Sequence, residues 1–366
     1  MQELNMSEED NKKIIRWLFV VCGLIMIMVV FGGFVRLTRS GLSIVEWNPI
    51  SGVVPPIGQA AWEAEFAKYQ ETPEGMFINS QMTLTEYKEI FYVEYLHRLI
   101  ARFAGLFVVI PLFYYLYKGI IPWRKSAVYL TIGALFGFQG FLGWYMVSSG
   151  LAENPAVDHF RLTTHLLMAL FLLALTMWTA LRHVHNFPPV INKGRGSLPY
   201  LLSALTLVIL VIQITYGGFV AGLKAGWISN TWPLMAGRWI PANLFSQFDA
   251  WWQNLISSPV GVHFVHRWFA FVVLGAAIWL YFITKRHAYS ANVHKAVIYF
   301  LGLVAVQIVL GVSTIWFSVP LVLALSHQAV GLLLLMVAVY IRYEIVHTPI
   351  PEQIVARQTA VAQTGD

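Results

Sequence analysis

Eight stretches of this chain are apolar over the length that a bilayer requires. They run over about 15–36, 92–117, 126–148, 160–181, 199–221, 262–284, 296–317 and 320–342. Roughly 20 predominantly apolar residues carry a helix across the hydrocarbon of a membrane. Lipid offers no partner to a backbone N–H or C=O, so such stretches are held to helices that satisfy those groups internally. Composition agrees. Of 366 residues, 58% are hydrophobic and 11% are charged, against roughly 25% charged in a soluble protein. The expected fold class is an all-α polytopic membrane protein with eight transmembrane helices.

The few charges orient those helices. Lys12, Lys13 and Arg16 precede the first segment, and Lys118, Arg124 and Lys125 separate the second from the third. Arg182, Lys193 and Arg195 lie between the fourth and fifth, and Lys285, Arg286 and Lys295 between the sixth and seventh. The connection from third to fourth carries Glu153 and Asp158 and no basic residue before Arg161. Basic loops stay on the cytoplasmic side, which puts both termini there. The first-to-second connection runs against this, with Arg36, Arg39, Lys68 and Lys88. The net charge of +6 thus reads as orientation in a lipid bilayer, and no nucleic acid partner is expected. Glu3, Glu8, Glu9 and Asp10 make the N-terminal segment unlike a mitochondrial presequence or a secretory signal. The first apolar segment is expected to stay as a helix in a bacterial inner (plasma) membrane.

Cys22 is the single cysteine. It excludes an internal disulfide, covalent c-type haem attachment and a cysteine-ligated iron–sulfur cluster, and reads as a small packing residue.

The two halves of the chain repeat. Gly32-Gly33-Phe34-Val35 ends the first segment and Gly217-Gly218-Phe219-Val220 ends the fifth. Gln139-Gly140-Phe141-Leu142-Gly143 in the third segment matches Gln307-Ile308-Val309-Leu310-Gly311 in the seventh, and Trp47-Asn48-Pro49 has an echo in Trp232-Pro233. The expected layout is two repeated four-helix bundles, over 1–190 and 191–366. The glycines are expected to allow close helix packing, and Gln139 and Gln307 to donate hydrogen bonds between helices. Trp62, Trp227, Trp239, Trp251 and Trp252 in the long outer connections are expected to cap the bundle at the membrane interface.

Four histidines fall on the even-numbered segments at matching places: His97 and His165, then His266 and His327. Imidazole inside a membrane marks a function by default, and paired imidazoles hold a haem iron from both faces. The four point to one porphyrin site per half, with all four in the first turn or two of their helices and toward the outer face. Ordinary polar helix-end residues are the alternative for any one of them taken alone. The repeat breaks at one position. Glu94 stands three residues before His97, where the other half has His263 before His266. Glu94 also precedes Arg98 by four residues, the favourable order for an intrahelical ion pair, and the two roles are compatible. Arg98 and Arg267 follow His97 and His266 directly and reach either haem propionates or the outer surface. Arg102, deeper in its helix, is expected to face a polar cavity. His183 and His185 are expected in a solvated basic loop, with His287, His294 and His347 read the same way.

The Glu94-x-x-His97-Arg98 motif, the three further histidines on alternate helices and the duplicated eight-helix layout resemble the haem A synthase family over nearly the whole chain. Without cysteine pairs in the outer loops, the chain looks like that family's cysteine-poor branch of proteobacteria and mitochondria. The resemblance implies oxidation of the C8 methyl of haem O to a formyl group by successive hydroxylations, giving haem A for cytochrome c oxidase. It implies a resident haem b in the second half, with His266 and His327 as axial ligands and Arg98 and Arg267 as cofactor-binding candidates. It implies haem O as substrate in the first half, near His97 and His165, with Glu94 beside the methyl. The compatible partners are an electron donor that the sequence does not identify, haem O synthase, oxidase assembly factors and a further copy of this chain. A di-haem cytochrome b-type electron carrier, such as a quinol oxidoreductase, explains the four histidines equally well but leaves Glu94 in place of a histidine unexplained. A transporter is a third reading and requires no porphyrin.

Overall fold

Helix α1 (Glu8–Leu37) starts a full two turns before its apolar stretch. Ser7 caps it by accepting from the Asp10 backbone N–H, and Glu8, Glu9 and Asp10 fill its first turn, where negative charge complements the helix dipole. Ion pairs Lys12–Glu8 at 2.6 Å and Lys13–Glu9 at 3.0 Å continue the polar end. A computed structural model describes residues 6–152, 154–190, 198–287 and 289–347. Glu153, Lys193 and Arg195, which enter the charge argument, lie outside the described residues.

The remaining helices are α2 (Gln59–Gln70), α3 (Pro73–Phe77), α4 (Leu84–Tyr117), α5 (Ala127–Gly150), α6 (His159–Val184), α7 (Leu198–Gly222), α8 (Trp251–Ser257), α9 (Pro259–Arg286), α10 (Ala291–Trp316) and α11 (Leu321–His347). No strand occurs among the described residues, where one isolated bridge pairs Met235 with Arg238. Among the described residues, eight helices, α1, α4–α7 and α9–α11, are long and apolar enough to cross a membrane. Each is longer than the apolar stretch that predicts it. The extension at the N-terminus is largest at α4. Thr83 and Glu86 form a reciprocal capping box there, which satisfies two otherwise orphaned N–H groups. His97 consequently sits well inside α4, more than three turns from its start, and not in the first turn or two.

The helices gather into two compact units, one of Gln2–Thr176 with Ala221–Leu223 and one of Met177–Val220 with Lys224–Asp366. In the first, α1 packs along α4 and α4 along α5. A proline inside α4 explains one tie between them. Pro111 has no N–H to give the Phe107 carbonyl four residues back. The Trp17 indole of α1 donates to that carbonyl at 3.2 Å, so the bond that proline removes is replaced from the neighbouring helix. In the second unit, α9 packs on α10 and α10 on α11.

The connection from α1 to α4 folds on itself. Trp62 and Tyr69 of α2 bury against Tyr87 and Phe91 of α4, with Ile44, Phe66 and Tyr95 around them. Trp62 is therefore a core residue and not an interfacial anchor, because α2 gives it a partner face that the sequence did not reveal. Trp227, Trp239, Trp251 and Trp252 are exposed. In the second unit, the buried Asn254 side chain accepts from the Gln247 and Phe248 N–H groups at 3.0 Å and donates to the Phe248 and Ala250 carbonyls. One amide thus replaces four backbone partners where the chain turns into α8.

Candidate functional site

Each of the four histidines stands against a glycine on the preceding long helix. A methyl at Gly32 would lie 3.3 Å from His97 Nε2. At Gly143, Gly217 and Gly311 it would lie 3.2, 3.2 and 3.0 Å from Cε1 of His165, His266 and His327. The repeated glycines are thus seats for imidazole rings, a more specific role than close packing. The fourfold pattern also places His97 apart. The ring atom nearest the Gly32 position is its Nε2, where the other three histidines present Cε1 to their glycines.

A glutamine stands one turn before three of these glycines. Gln139 lies 3.2 Å from His165 Nδ1 and donates to the His165 carbonyl at 3.0 Å. Gln213 repeats both distances at His266, and Gln307 lies 3.4 Å from His327 Nε2. Sequence reading singled out Gln139 and Gln307. It missed Gln213, although Gln213-x-x-x-Gly217 has the same spacing as the other two.

The rings of His266 and His327 stand edge-on, with centres 6.3 Å apart and planes crossed at 80°. Buried unpartnered polar atoms surround them: His327 Nδ1 and Oε1 of both Gln213 and Gln307. His97 and His165 lie within electrostatic reach of one another.

Glu94 is buried and fully engaged. Its Oε2 accepts from the Ser43 N–H and hydroxyl, both at 2.8 Å, and from the Ile44 N–H at 3.0 Å. Its Oε1 accepts from Arg98 Nε at 2.9 Å and Nη2 at 2.5 Å. Five donors exceed the roughly four lone-pair positions of a carboxylate. Arg98 also donates to the Glu46 and Ile44 carbonyls, at 3.1 and 2.9 Å. The expected ion pair exists, and it latches the α1–α4 connection onto α4. The equivalent latch in the other unit is Arg267, which donates to His263 Nε2 at 3.0 Å and to the Thr231 and Ser229 carbonyls at 2.8 and 2.9 Å. His263 and Glu94 thus do the same local job, each accepting from the arginine four residues on.

Arg102 donates to the Pro49 and Asn48 carbonyls at 2.9 and 2.8 Å. It lines a cavity of about 390 Å³ with Arg98, Lys68, Glu46 and Tyr95, as its depth in α4 predicts. Beside that cavity the Lys68 ammonium, 2.7 Å from Glu46, holds the Glu46 carboxyl below its ordinary range. His183 departs from expectation. It is fully buried within α6, because the helix runs on to Val184, with the Phe187 ring 4.7 Å away. His185 lies 3.5 Å from Glu344, and the His347 ring lies tilted against Tyr343 with centres 4.3 Å apart. No group of three or more metal-ligating side chains of the His, Cys, Asp or Glu type occurs among the described residues.

Fold and site together define a polytopic helical membrane protein that presents two pairs of glycine-seated imidazoles on alternate long helices. Residues 15–339 match the COX15-CtaA family, described as cytochrome oxidase assembly protein, and the chain belongs to that family. Its similar relatives include proteins named heme A synthase from three bacteria. That of Flavobacterium psychrophilum is 41% identical over 91% of this chain and 98% of its own. That of Agrobacterium fabrum is 41% identical over 91% and 90%, and that of Nitrosospira multiformis 42% over 92% and 94%.

Proposed function

We propose that this chain oxidises the C8 methyl of haem O to a formyl group, yielding haem A, the activity that gives its relatives their name. The observation that carries the reading is the close, crossed pair His266 and His327. Metal–nitrogen bonds of about 2 Å on both sides put two ring centres about 6 Å apart, and these stand at 6.3 Å. The donor set therefore fits a bis-imidazole haem, and in this reading His266 and His327 hold a resident haem b. A haem held by His266 and His327 would supply one-electron redox chemistry, at a potential tuned by these two residues and their partners.

His97 and His165 bind the substrate haem O in the other unit. Glu94, three residues from His97 on one helix face, contributes a fixed carboxylate beside the reacting methyl and favours the positive charge that develops as that carbon is oxidised. Its neighbours keep it in place, because both oxygens are committed to donors. Guanidinium carries five N–H groups. The bonds described use four of them at Arg98 and three at Arg267, which leaves each arginine a hydrogen for a haem propionate. The protein would sit in a bacterial inner membrane with both termini cytoplasmic and both haem sites toward the outer face, drawing electrons from a separate donor. The two repeated four-helix bundles of the sequence reading divide the work, with substrate in the first and resident haem in the second.

The test is the haem inventory of the purified full chain. Haem b accompanied by haem O and haem A supports the reading. Two permanent b haems would instead make the protein a di-haem electron carrier, and a preparation without porphyrin would overturn both.

A further inference from the structure

Residues of α6, α10 and α11 in the second unit line a cavity of about 470 Å³. Its inner part is carbon: Met177 of α6 with Leu333, Met336 and Val337 of α11. Leu333 is exposed, so the cavity opens sideways from the helices. Its polar end is formed by Asn292 and Lys295 in the first two turns of α10. The connection from α10 to α11 is only three residues long beyond Trp316 and Phe317, so the two helices run antiparallel and the start of α10 lies toward the end of α11. An apolar crevice on a membrane helix bundle would be filled by any hydrocarbon chain. Charge makes this one selective. Lys285 and Arg286 end α9, and Lys295 follows them in α10. All three are exposed. The sequence has no Asp or Glu between Asp249 and Glu344. Among the described residues, no ion pair joins any of these three cations to a carboxylate. A cation at the membrane surface attracts anionic headgroups, and basic pockets between transmembrane helices hold them. A quinone or a zwitterionic lipid would fill the carbon-lined part and leave the Lys295 ammonium without a net counter-charge.

We propose that this crevice is a binding site for one anionic phospholipid. Its phosphate meets Lys295 and the Asn292 amide, and one acyl chain runs inward along Met177, Val337, Met336 and Leu333. The two methionines suit a flexible chain, because their unbranched side chains adapt to irregular contours. The inference stands whatever the histidines hold, since none of the four lines the cavity.

The test uses the purified full chain, stripped of lipid in detergent and titrated with phosphatidylglycerol or with phosphatidylcholine of the same acyl chains. Native mass spectrometry counts the lipid retained. The parent should hold one phosphatidylglycerol in preference to phosphatidylcholine. Lys295→Gln should weaken phosphatidylglycerol about 5-fold, the attraction of one cation for an anionic surface, and Lys295→Glu should weaken it further. Neither should change phosphatidylcholine. Val337→Phe fills the crevice and should weaken both lipids. Lys118→Gln, which removes an exposed cation from the end of α4 in the other unit, is the control and should match the parent. Equal retention of the two lipids by the parent would overturn the inference, as would a loss of phosphatidylglycerol in Lys295→Gln no larger than in Lys118→Gln. A quinone that copurifies with the parent and is lost from Val337→Phe would also overturn it and make the crevice a quinone site.

Discussion

Glu94 and Arg98 lie 2.5 Å apart, and together they fasten the chain between α1 and α4 to the helix that carries His97. The pair has a counterpart in His263 and Arg267, joined at 3.0 Å. What differs between the halves is the charge of the acceptor, not the presence of the latch.

Removing the carboxylate should therefore do two separable things. Glu94→Ala leaves Arg98 and the Ser43 donors without their acceptor, a loss of about 3 kcal/mol for one partner of a buried pair. Glu94→Gln keeps the shape and one acceptor oxygen, so it should recover much of that stability. Both variants should still contain haem b, whose ligands lie in the other unit, and both should accumulate haem O with haem A formation down roughly 100-fold. Thermal unfolding in detergent and haem extraction from membranes read the two effects. Normal haem A from Glu94→Gln would remove the carboxylate from the chemistry.

The glycine seats make a second prediction. A methyl at Gly311 would stand 3.0 Å from the His327 ring and one at Gly217 3.2 Å from the His266 ring. Gly311→Ala and Gly217→Ala should displace those rings and reduce the low-spin haem b signal. This should occur despite the gain of about 1 kcal/mol that alanine brings to a helix interior. Gly302→Ala, where nothing lies within 4 Å, is the control and should leave the spectrum unchanged.

Met28 holds, on α1, the place that glutamine holds one turn before the other three glycines. Met28→Gln would place an amide beside His97 at the register the other three helices use. Haem O and haem A should then survive purification in larger amounts than in the parent, since a better-oriented ligand releases its haem more slowly. Haem extraction and chromatography measure the ratio.

Proline in α4 provides a test of the fold itself. Trp17→Phe orphans the Phe107 carbonyl and should destabilise by about 1–3 kcal/mol. Adding Pro111→Ala restores an N–H to that carbonyl from within α4, so the double variant should regain stability relative to Trp17→Phe alone. Additive losses would show that the indole contributes through packing only.

The eight spans were legible because membrane burial writes itself as length and apolarity, and every one appears. Helix ends were less so. Thr83 and Glu86 extend α4 by two turns through hydrogen bonds that a hydropathy pattern does not register, which moved His97 from the start of a helix to its interior. His183 was misjudged for a related reason: α6 runs past its apolar stretch and buries the ring. The four histidines and the break at Glu94 were visible as a repeat. The seat under each ring was not, because a glycine reads as close packing until its neighbour across the helix pair is known. Gln213 escaped for want of that same partner. The self-packed connection around Trp62 and Tyr69 was opaque, since α2 has no apolar run of its own and forms only against α4.

The account turns on the division between a resident haem at His266 and His327 and a substrate haem at His97 and His165. The most direct measurement is the haem content of purified His266→Ala and His97→Ala beside the parent, by extraction and by low-spin spectrum. His266→Ala is predicted to lose haem b. His97→Ala is predicted to keep haem b and lose haem O and haem A. A normal low-spin haem b in His266→Ala would contradict the account.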